Sequence, residues 1–592
     1  MIADFCLEPD LGPSFPIQLS KRPTPKQVAE IIKFWFKECA QKHQGCIMHH
    51  ESILTSDVRP TRLLDVSNLN HIWLHTRNLR ASRRTEYLTL SHCWPSDGEI
   101  FKLTQQNLES LKRQIPPGKL TQTFRDAIAI TNAAGFQYLW IDSLCIVQDS
   151  PQDWAIEANR MVHVYGNAAL NLVACGPPGA TMLEPRNPLR YYPCSLSTGT
   201  CSLYVEPQSK RVEDIPAFKR GWIVQERLLS RRNIYFSMKS QLGEVVWECF
   251  EGKATETKSV FLKANYVDLA MPFYIHDTEH KAYFEHLLDA IRRLQDDSAN
   301  GWAQARLDFS RMWTRIILIY TTAELTYVTD KLVAFTGIAK LMSQNIPSDY
   351  IAGMWKFTLP ASLLWFTNGG PEKNPLRERP MWRGAPSWSW ASLDTEIDGR
   401  WAEILDPTIS QDFGNYHAAL GDCETQLVMG RPAAFGEYAS VKLHISGVLR
   451  SIQGTIAWDD DESPNTDGSR EFGPGLVKSV LFLPDVRVPV GAPLFFFTIF
   501  RDQAANCYYQ PPNLHIDYME EGLVLMNHLD GYARVGYMKV RLHEDDDKDV
   551  LANILRGGWE IGDNCTLLVC YALVFSTNRL FITPTIEKTR KT

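Results

Sequence analysis

Between Tyr87 and Cys175 the chain alternates short, nearly unbroken apolar runs with longer stretches whose apolar residues return every three or four positions. YLTLSHCW from Tyr87, YLWIDSLCI from Tyr138 and ALNLVAC from Ala169 are of strand length and apolar on both faces, which is the pattern of strands buried between two layers. Between the first two, FRDAIAITNAAG sets Phe124, Ala127, Ile128 and Thr131 on one side and ends in Gly135. That predicts a helix closed by a left-handed glycine. After Asp149, Ser150 suits an N-cap, Pro151 a first helical position and Asp153 a capping-box acid. The helix they open would bury Trp154, Ala158, Met161 and Tyr165. Strand, helix, strand, helix, strand in this order predicts an α/β fold, a parallel sheet flanked by helices.

Other periodicities extend the picture. QVAEIIKFWFKECAQKH from Gln27 places Val28, Ile31, Ile32, Trp35 and Phe36 on one face, predicting a helical adaptor that packs on the domain behind it. A loose arm over 1–25 precedes it, and Leu63 to Trp73 reads as short strand-like segments. Beyond about Gly252 the texture shifts to charged helical segments from Glu279 to Gln304, the apolar MWTRIILIYTTAEL and KLVAFTGIAKLM, and a Trp-rich loop, MWRGAPSWSWASLD. Trp388 and Trp390, at alternate positions, are expected to face one way and wedge between domains. From Ser440, runs such as VKLHISGVLR, SVLFLP, PLFFFTIF, GLVLM and CTLLVCYALVF are separated by turn residues and predict a β-rich region. DDDESPNTDGSREFGPG and EDDDKD read as surface loops. The expected divisions are 1–50 (arm and helix), 51–252 (α/β domain), 253–400 (helical, with the Trp-rich segment) and 401–592 (β-rich).

Composition narrows the function classes. At 592 residues with 44% hydrophobic and 22% charged residues the chain is long enough for two or three cores. Its net charge of -7 is small and its basic residues are scattered, so neither nucleic acid nor an anionic membrane is expected as a partner. No apolar run reaches bilayer length, and MIADFCLEPDLGPSF lacks the basic and apolar regions of a signal peptide. A cytoplasmic location is expected. The 13 cysteines are odd in number and often lie inside apolar segments, which suits reduced core thiols better than a disulfide framework.

Candidate chemistry collects where strands end. Ser91, His92, Cys93 and Trp94 follow the first strand, and Asp142, Ser143, Cys145 and Gln148 the second. If those strands are parallel neighbours, these groups share one crevice. Glu157, with Arg160 one turn on, could reach the same place or form an ion pair at helical spacing. Cys145 or Cys93, activated by His92 and oriented by Asp142, is a thiol-nucleophile reading, with a buried core thiol as the alternative. In RGWIVQERLL, Arg220, Trp222 and Gln225 are candidate ligand-binding residues, since a guanidinium fork suits phosphate or carboxylate. Glu226 and Arg227 read better as a structural lock. Cys39, His43, Cys46 and His49 are close enough in sequence to ligate zinc from a helix end and the following loop, although the usual C-x2-C pair is missing.

Three of these blocks in order, YLTLSHCW, YLWIDSLCIVQD with the following helix and strand, and RGWIVQERLLSRRNIYF with VVWEC, resemble the fungal heterokaryon incompatibility (HET) domain family. Downstream segments, among them TDKLVAFTGIAKL, YIAGMWKFTLPASLLW, APSWSWASLD and GLVL…YARVG, look like the usual continuation of long HET proteins. The resemblance implies non-self recognition and a programmed cell-death response, with a protein partner or self-assembly through the HET domain. It also implies a TIR-like fold. Some TIR domains cleave NAD with a helix-borne glutamate, which would make NAD a substrate and Glu157 catalytic, by hydrolase or glycosidase-type chemistry. A small-molecule tailoring enzyme of secondary metabolism on the same scaffold is the alternative. One departure stands out: the first block usually continues Trp-Gly, whereas this chain has Trp94-Pro95, which fixes φ and removes an N–H. A phosphate-binding role for that loop is thereby weakened. No GxxxxGK[ST] motif is present, so an ATP-driven switch is not expected within the chain.

Overall fold

The computed structural model describes residues 5–6, 20–47, 58–76, 86–95, 100–185, 194–197, 202–205, 216–236, 245–256, 262–263, 280–295, 299–325, 330–343, 345–346, 348–367, 385–399, 418–427, 438–452, 480–484, 492–503, 518–528, 531–542, 555–560 and 569–571. Most of the expected N-terminal arm, both expected surface loops and the start of the Trp-rich loop lie outside the described residues.

The apolar runs form strands. In chain order these are β1 (Leu63–Asp65), β2 (Trp73–His75), β3 (Tyr87–Ser91), β4 (Tyr138–Ile141), β5 (Leu170–Ala174), β6 (Arg232–Phe236), β7 (Val246–Cys249), β8 (Gly252–Thr255) and β9 (Leu262–Lys263). They make one sheet in the spatial order β9-β8-β7-β6-β5-β3-β4-β1-β2. Four strands, β6, β5, β3 and β4, are parallel neighbours. The flanks correct the expectation of a parallel sheet, since β1, β2, β7, β8 and β9 all pair antiparallel. Connections as short as those between β1 and β2 or between β7 and β8 cannot carry a chain back to the same end, whereas helical crossovers in the middle can.

The helices are α1 (Pro25–Lys42), α2 (Gln122–Ala134), α3 (Pro151–Gly166), α4 (Gly221–Leu229), α5 (His280–Arg293), α6 (Ala299–Thr321) and α7 (Lys331–Ser343). Gly135 closes α2 at φ 90°, as its position predicts. Ser150 caps α3 by accepting from Asp153 N. The Asp153 carboxylate does not complete a capping box; it accepts from Val147 N at 2.8 Å and pairs with Arg62. α1 opens with a Thr24–Gln27 capping box and buries Val28, Ile31, Ile32 and Trp35. Its Trp35 ring lies 6.2 Å from Trp247 of β7. Each such aliphatic burial contributes about 2 kcal/mol, so α1 is packed firmly on the sheet.

The helical region packs on this unit, and the β-rich region meets the Trp-rich segment beyond it. α7 packs on α3 and α4, closely enough that a Cβ at Gly337 would lie 2.5 Å from the Gln225 amide. Further along, β10 (Ala418–Leu427), β11 (Tyr438–Ile452), β12 (Val480–Pro484), β13 (Leu494–Gln503), β14 (Tyr518–His528) and β15 (Gly531–Leu542) form an antiparallel sheet in the order β10-β11-β13-β14-β15-β12. Trp388 and Trp390 are fully buried. Trp390 packs on Tyr320 and Phe335 of the helices, and Ser387 accepts from Arg534 N of β15 at 3.3 Å. The Arg534 guanidinium lies 3.4 Å over Trp365 and donates to the Leu363 and Trp365 carbonyls. One buried cluster runs from Val28 to Met538.

Candidate functional site

The chain goes from β3 to β4 on one side and then crosses back to β5 on the other. Such a reversal leaves a gap above the strand ends, where α/β sheets bind ligands. β4 is shorter than expected. It stops at Ile141, and Asp142–Cys145 is a helical turn, because the Asp142 carboxylate accepts from Ser143 N at 2.7 Å and Ile146 N returns to Asp142 O at 3.0 Å. That turn sets the Asp142 side chain beside the end of β3.

Three side chains converge on Asp142. His92 Nε2 lies 3.0 Å from Oδ1, Trp94 Nε1 donates to Oδ2 at 2.9 Å, and an Arg220 terminal nitrogen sits 3.4 Å from Oδ2. Arg220 also donates to the His92 carbonyl at 2.7 Å and lies 5.6 Å over the Trp94 ring. His92 and Trp94 stack at 6.4 Å. Both ring nitrogens of His92 face oxygens, Asp142 Oδ1 and Cys93 O at 3.1 Å. Burial acts to raise the Asp142 carboxyl, but the charge and hydrogen bond of His92, then Arg220 and the Trp94 N–H, outweigh it and hold the group well below the carboxylate range.

Beneath lies a second carboxyl. Glu226 of α4 is 2% exposed, accepts from Ser91 Oγ, and is hydrogen-bonded by Tyr165. Burial raises its pKa, and Asp142 adds to the rise despite the opposing charge of Arg220. Two carboxyls in one cluster are thus shifted in opposite directions, the arrangement that divides acid–base roles. From Ser91 a polar row continues across the sheet. Thr89, Asn171, Asn233 and Glu248 stand in register on β3, β5, β6 and β7. They are joined by hydrogen bonds of 2.9, 3.1 and 3.4 Å.

The strand-end cluster lies almost wholly within one stretch of sequence. Residues 87–226 match the family model of the heterokaryon incompatibility protein (HET). The chain carries a HET domain. No curated protein and no solved structure matches the chain. The HET match begins with β3 and ends at Glu226, so it contains Ser91, His92, Trp94, Asp142, Tyr165, Asn171, Arg220 and Glu226. The strands β1, β2 and β6 to β9 complete its sheet from outside the match.

Other expected site residues stand elsewhere around the HET domain. Glu157 is buried with Arg160 and Thr61: one carboxylate oxygen accepts from Thr61 at 2.5 Å and Arg160 at 3.0 Å, while the other has no hydrogen-bond partner among the described residues. Cys145 is fully buried, its thiol pushed up to about 12 by burial, and its carbonyl accepts from Arg62 at 2.6 Å; these features suit a core thiol. Burial likewise raises Cys93. Gln225 is buried against Gly337, and the Trp222 ring meets Trp154 edge-on at 6.3 Å. Cys39, His43 and Cys46 come together, joined by Cys249, while His49 lies outside the described residues. A shallow depression lined by Asp349, Tyr350, Lys356 and Phe357 holds none of the expected groups.

Asn171, Asn233, Glu248 and Tyr165 had no place among the expected site residues, and Glu226 was assigned to a structural lock. The available signal was a polar residue within a strand-length run, in LTL, LNL, RNI and WEC. Such isolated residues align only once strand register is known.

Proposed function

We propose that this chain is a fungal heterokaryon incompatibility protein whose HET domain executes a cell-death response on non-self recognition in the cytoplasm, by acting on a small ligand at the strand-end cluster. The observation that carries this reading is the pair of buried carboxyls, Asp142 and Glu226, shifted in opposite directions in one cluster with Arg220 and Trp94. Asp142 orients His92 and Arg220; Glu226, fed by Ser91 and Tyr165, gives or takes a proton. Arg220 meets an anionic group of the ligand and Trp94 stacks on a flat one, a combination that NAD offers. A protein partner or self-assembly through the HET domain supplies the trigger. Among the described residues no helix is long and apolar enough to cross a membrane.

The TIR-like reading gives the catalytic part to Glu157. The Thr61 and Arg160 contacts of Glu157 favour a role in seating α3. Inducible expression in a filamentous fungus separates the two: growth arrest is expected from the parent and from Glu157→Gln, and is lost in Asp142→Asn and Glu226→Gln at matched protein levels. Loss in Glu157→Gln alone moves the chemistry to the TIR-like position. Killing by all three variants removes catalysis and leaves an assembly surface. Incubation with NAD and with a metabolite extract, read by mass spectrometry, tests turnover directly. Turnover without growth arrest favours a small-molecule enzyme.

A further inference from the structure

Cys39 lies in the last turn of α1, His43 is its C-cap, Cys46 sits in the next helical turn and Cys249 ends β7. Their ligand atoms all lie within 4.8 Å of one another, with His43 Nδ1 3.2 Å from Cys249 Sγ. A tetrahedral zinc site with bonds of about 2.3 Å to sulfur and about 2.0 Å to nitrogen has edges of about 3.5–3.8 Å, so the widest pairs need to close by about 1 Å and the His43–Cys249 pair to open by about 0.4 Å to reach it. All three sulfurs are buried, at 0%, 0% and 3% exposure. The donor set, three sulfurs and one imidazole, is soft and selects zinc over magnesium or calcium.

The surroundings are those of a closed site. Arg232 Nε points at Cys39 Sγ from 3.2 Å, a guanidinium donor that offsets the single negative charge of three thiolates around a divalent ion. Gly45 N, in the helical turn that carries Cys46, donates to Glu251 in the turn after Cys249, so the two ligand-bearing segments are already tied to each other. Supporting hydrogen bonds of this kind orient metal ligands. Three of the four residues were legible as a zinc candidate, and Cys249, 206 positions from His43, supplies the fourth.

We propose that Cys39, His43, Cys46 and Cys249 bind one Zn²⁺ ion in a structural site that pins α1 to β7. All four positions are taken by protein, which leaves none for a substrate. The pin joins two elements that lie on either side of the HET match, so the ion holds the helical adaptor to the far flank of the sheet.

The full chain, purified without chelator, should carry about one equivalent of zinc by elemental mass spectrometry. Cys46→Ser and Cys249→Ser should each fall below about a tenth of that, while Cys175→Ser, a buried thiol away from the cluster, keeps its zinc. Because a serine variant can lose metal by unfolding, the parent stripped with chelator is also titrated with cobalt(II). Thiolate-to-cobalt charge transfer with the visible bands of a tetrahedral ion is expected, bleached by added zinc. Absence of zinc from the native chain together with no tetrahedral cobalt spectrum overturns the proposal. So does a disulfide between two of these cysteines in the freshly isolated protein.

Discussion

Replacing Glu248 by Gln keeps its shape and removes its charge. The side chain is 2% exposed, with Lys253 at 3.8 Å, Arg227 at 4.0 Å and the Tyr235 hydroxyl bonded to it. Burial acts to raise its pKa, but Lys253, Arg227 and Lys281 overcome burial and take it from 4.5 to about 2. At about 1.4 kcal/mol per pH unit, the ionised group contributes about 3 kcal/mol at pH 7. The folded pKa is depressed, so this stability is present above 4.5 and is lost as pH falls through 2; at pH 3 about 1.4 kcal/mol should remain. Urea titrations of the parent and Glu248→Gln at pH 7 and pH 3 measure the difference. Hydrogen exchange in peptides covering residues 232–249 assigns the transition to the sheet, since a chain of several regions need not unfold in one step. A variant within about 0.5 kcal/mol of the parent at pH 7, or an equal deficit at both pH values, would refute the reasoning.

Asp142 and Glu226 should show opposite pH slopes in thermal melts. The depressed pKa of Asp142 gives stability present above its ordinary 3.8 and lost at lower pH, so the deficit of Asp142→Asn should shrink on acidification. The raised pKa of Glu226 gives stability present below 4.5 and lost as pH rises, so Glu226→Gln should gain on the parent from pH 4 to pH 7; a gap that does not change with pH contradicts this. Gly337→Val should cost about 1–3 kcal/mol by overpacking against Gln225, read as faster proteolysis of the 330–343 segment. Arg534→Met should cost about 3 kcal/mol by leaving the Leu363 and Trp365 carbonyls unpaired in the core, and an unchanged melting temperature would rule that out.

What the sequence disclosed was local. The α2 and α3 boundaries were visible because Gly135 and Ser150 act within one turn of themselves. The α/β order was visible because buried strands and amphipathic helices have different periods. The antiparallel flanks were not, since pairing direction depends on connection length in space. The same holds for Cys249 as a companion of Cys39, and for the row from Thr89 to Glu248, where each member alone resembles an interruption in an apolar run. Glu226 and Arg227 read as a structural lock because charged pairs in an apolar helix suggest one. In the folded chain Arg227 instead turns to Tyr235 at 3.0 Å and leaves Glu226 to Ser91.

Arg220 is held on both sides by the segment just past the end of α6. Lys219 O accepts from Glu324 N at 2.5 Å and Gly221 N donates to Glu324 O at 2.8 Å, while a Cβ at Gly221 would lie 2.6 Å from Leu325. The guanidinium over Trp94 is therefore geared to the end of a 23-residue helix. A rigid shift of α6 by a fraction of a turn breaks those two backbone bonds or drags Arg220 off Asp142. The charge at the strand ends is thus anchored from outside the HET match as well as from within it.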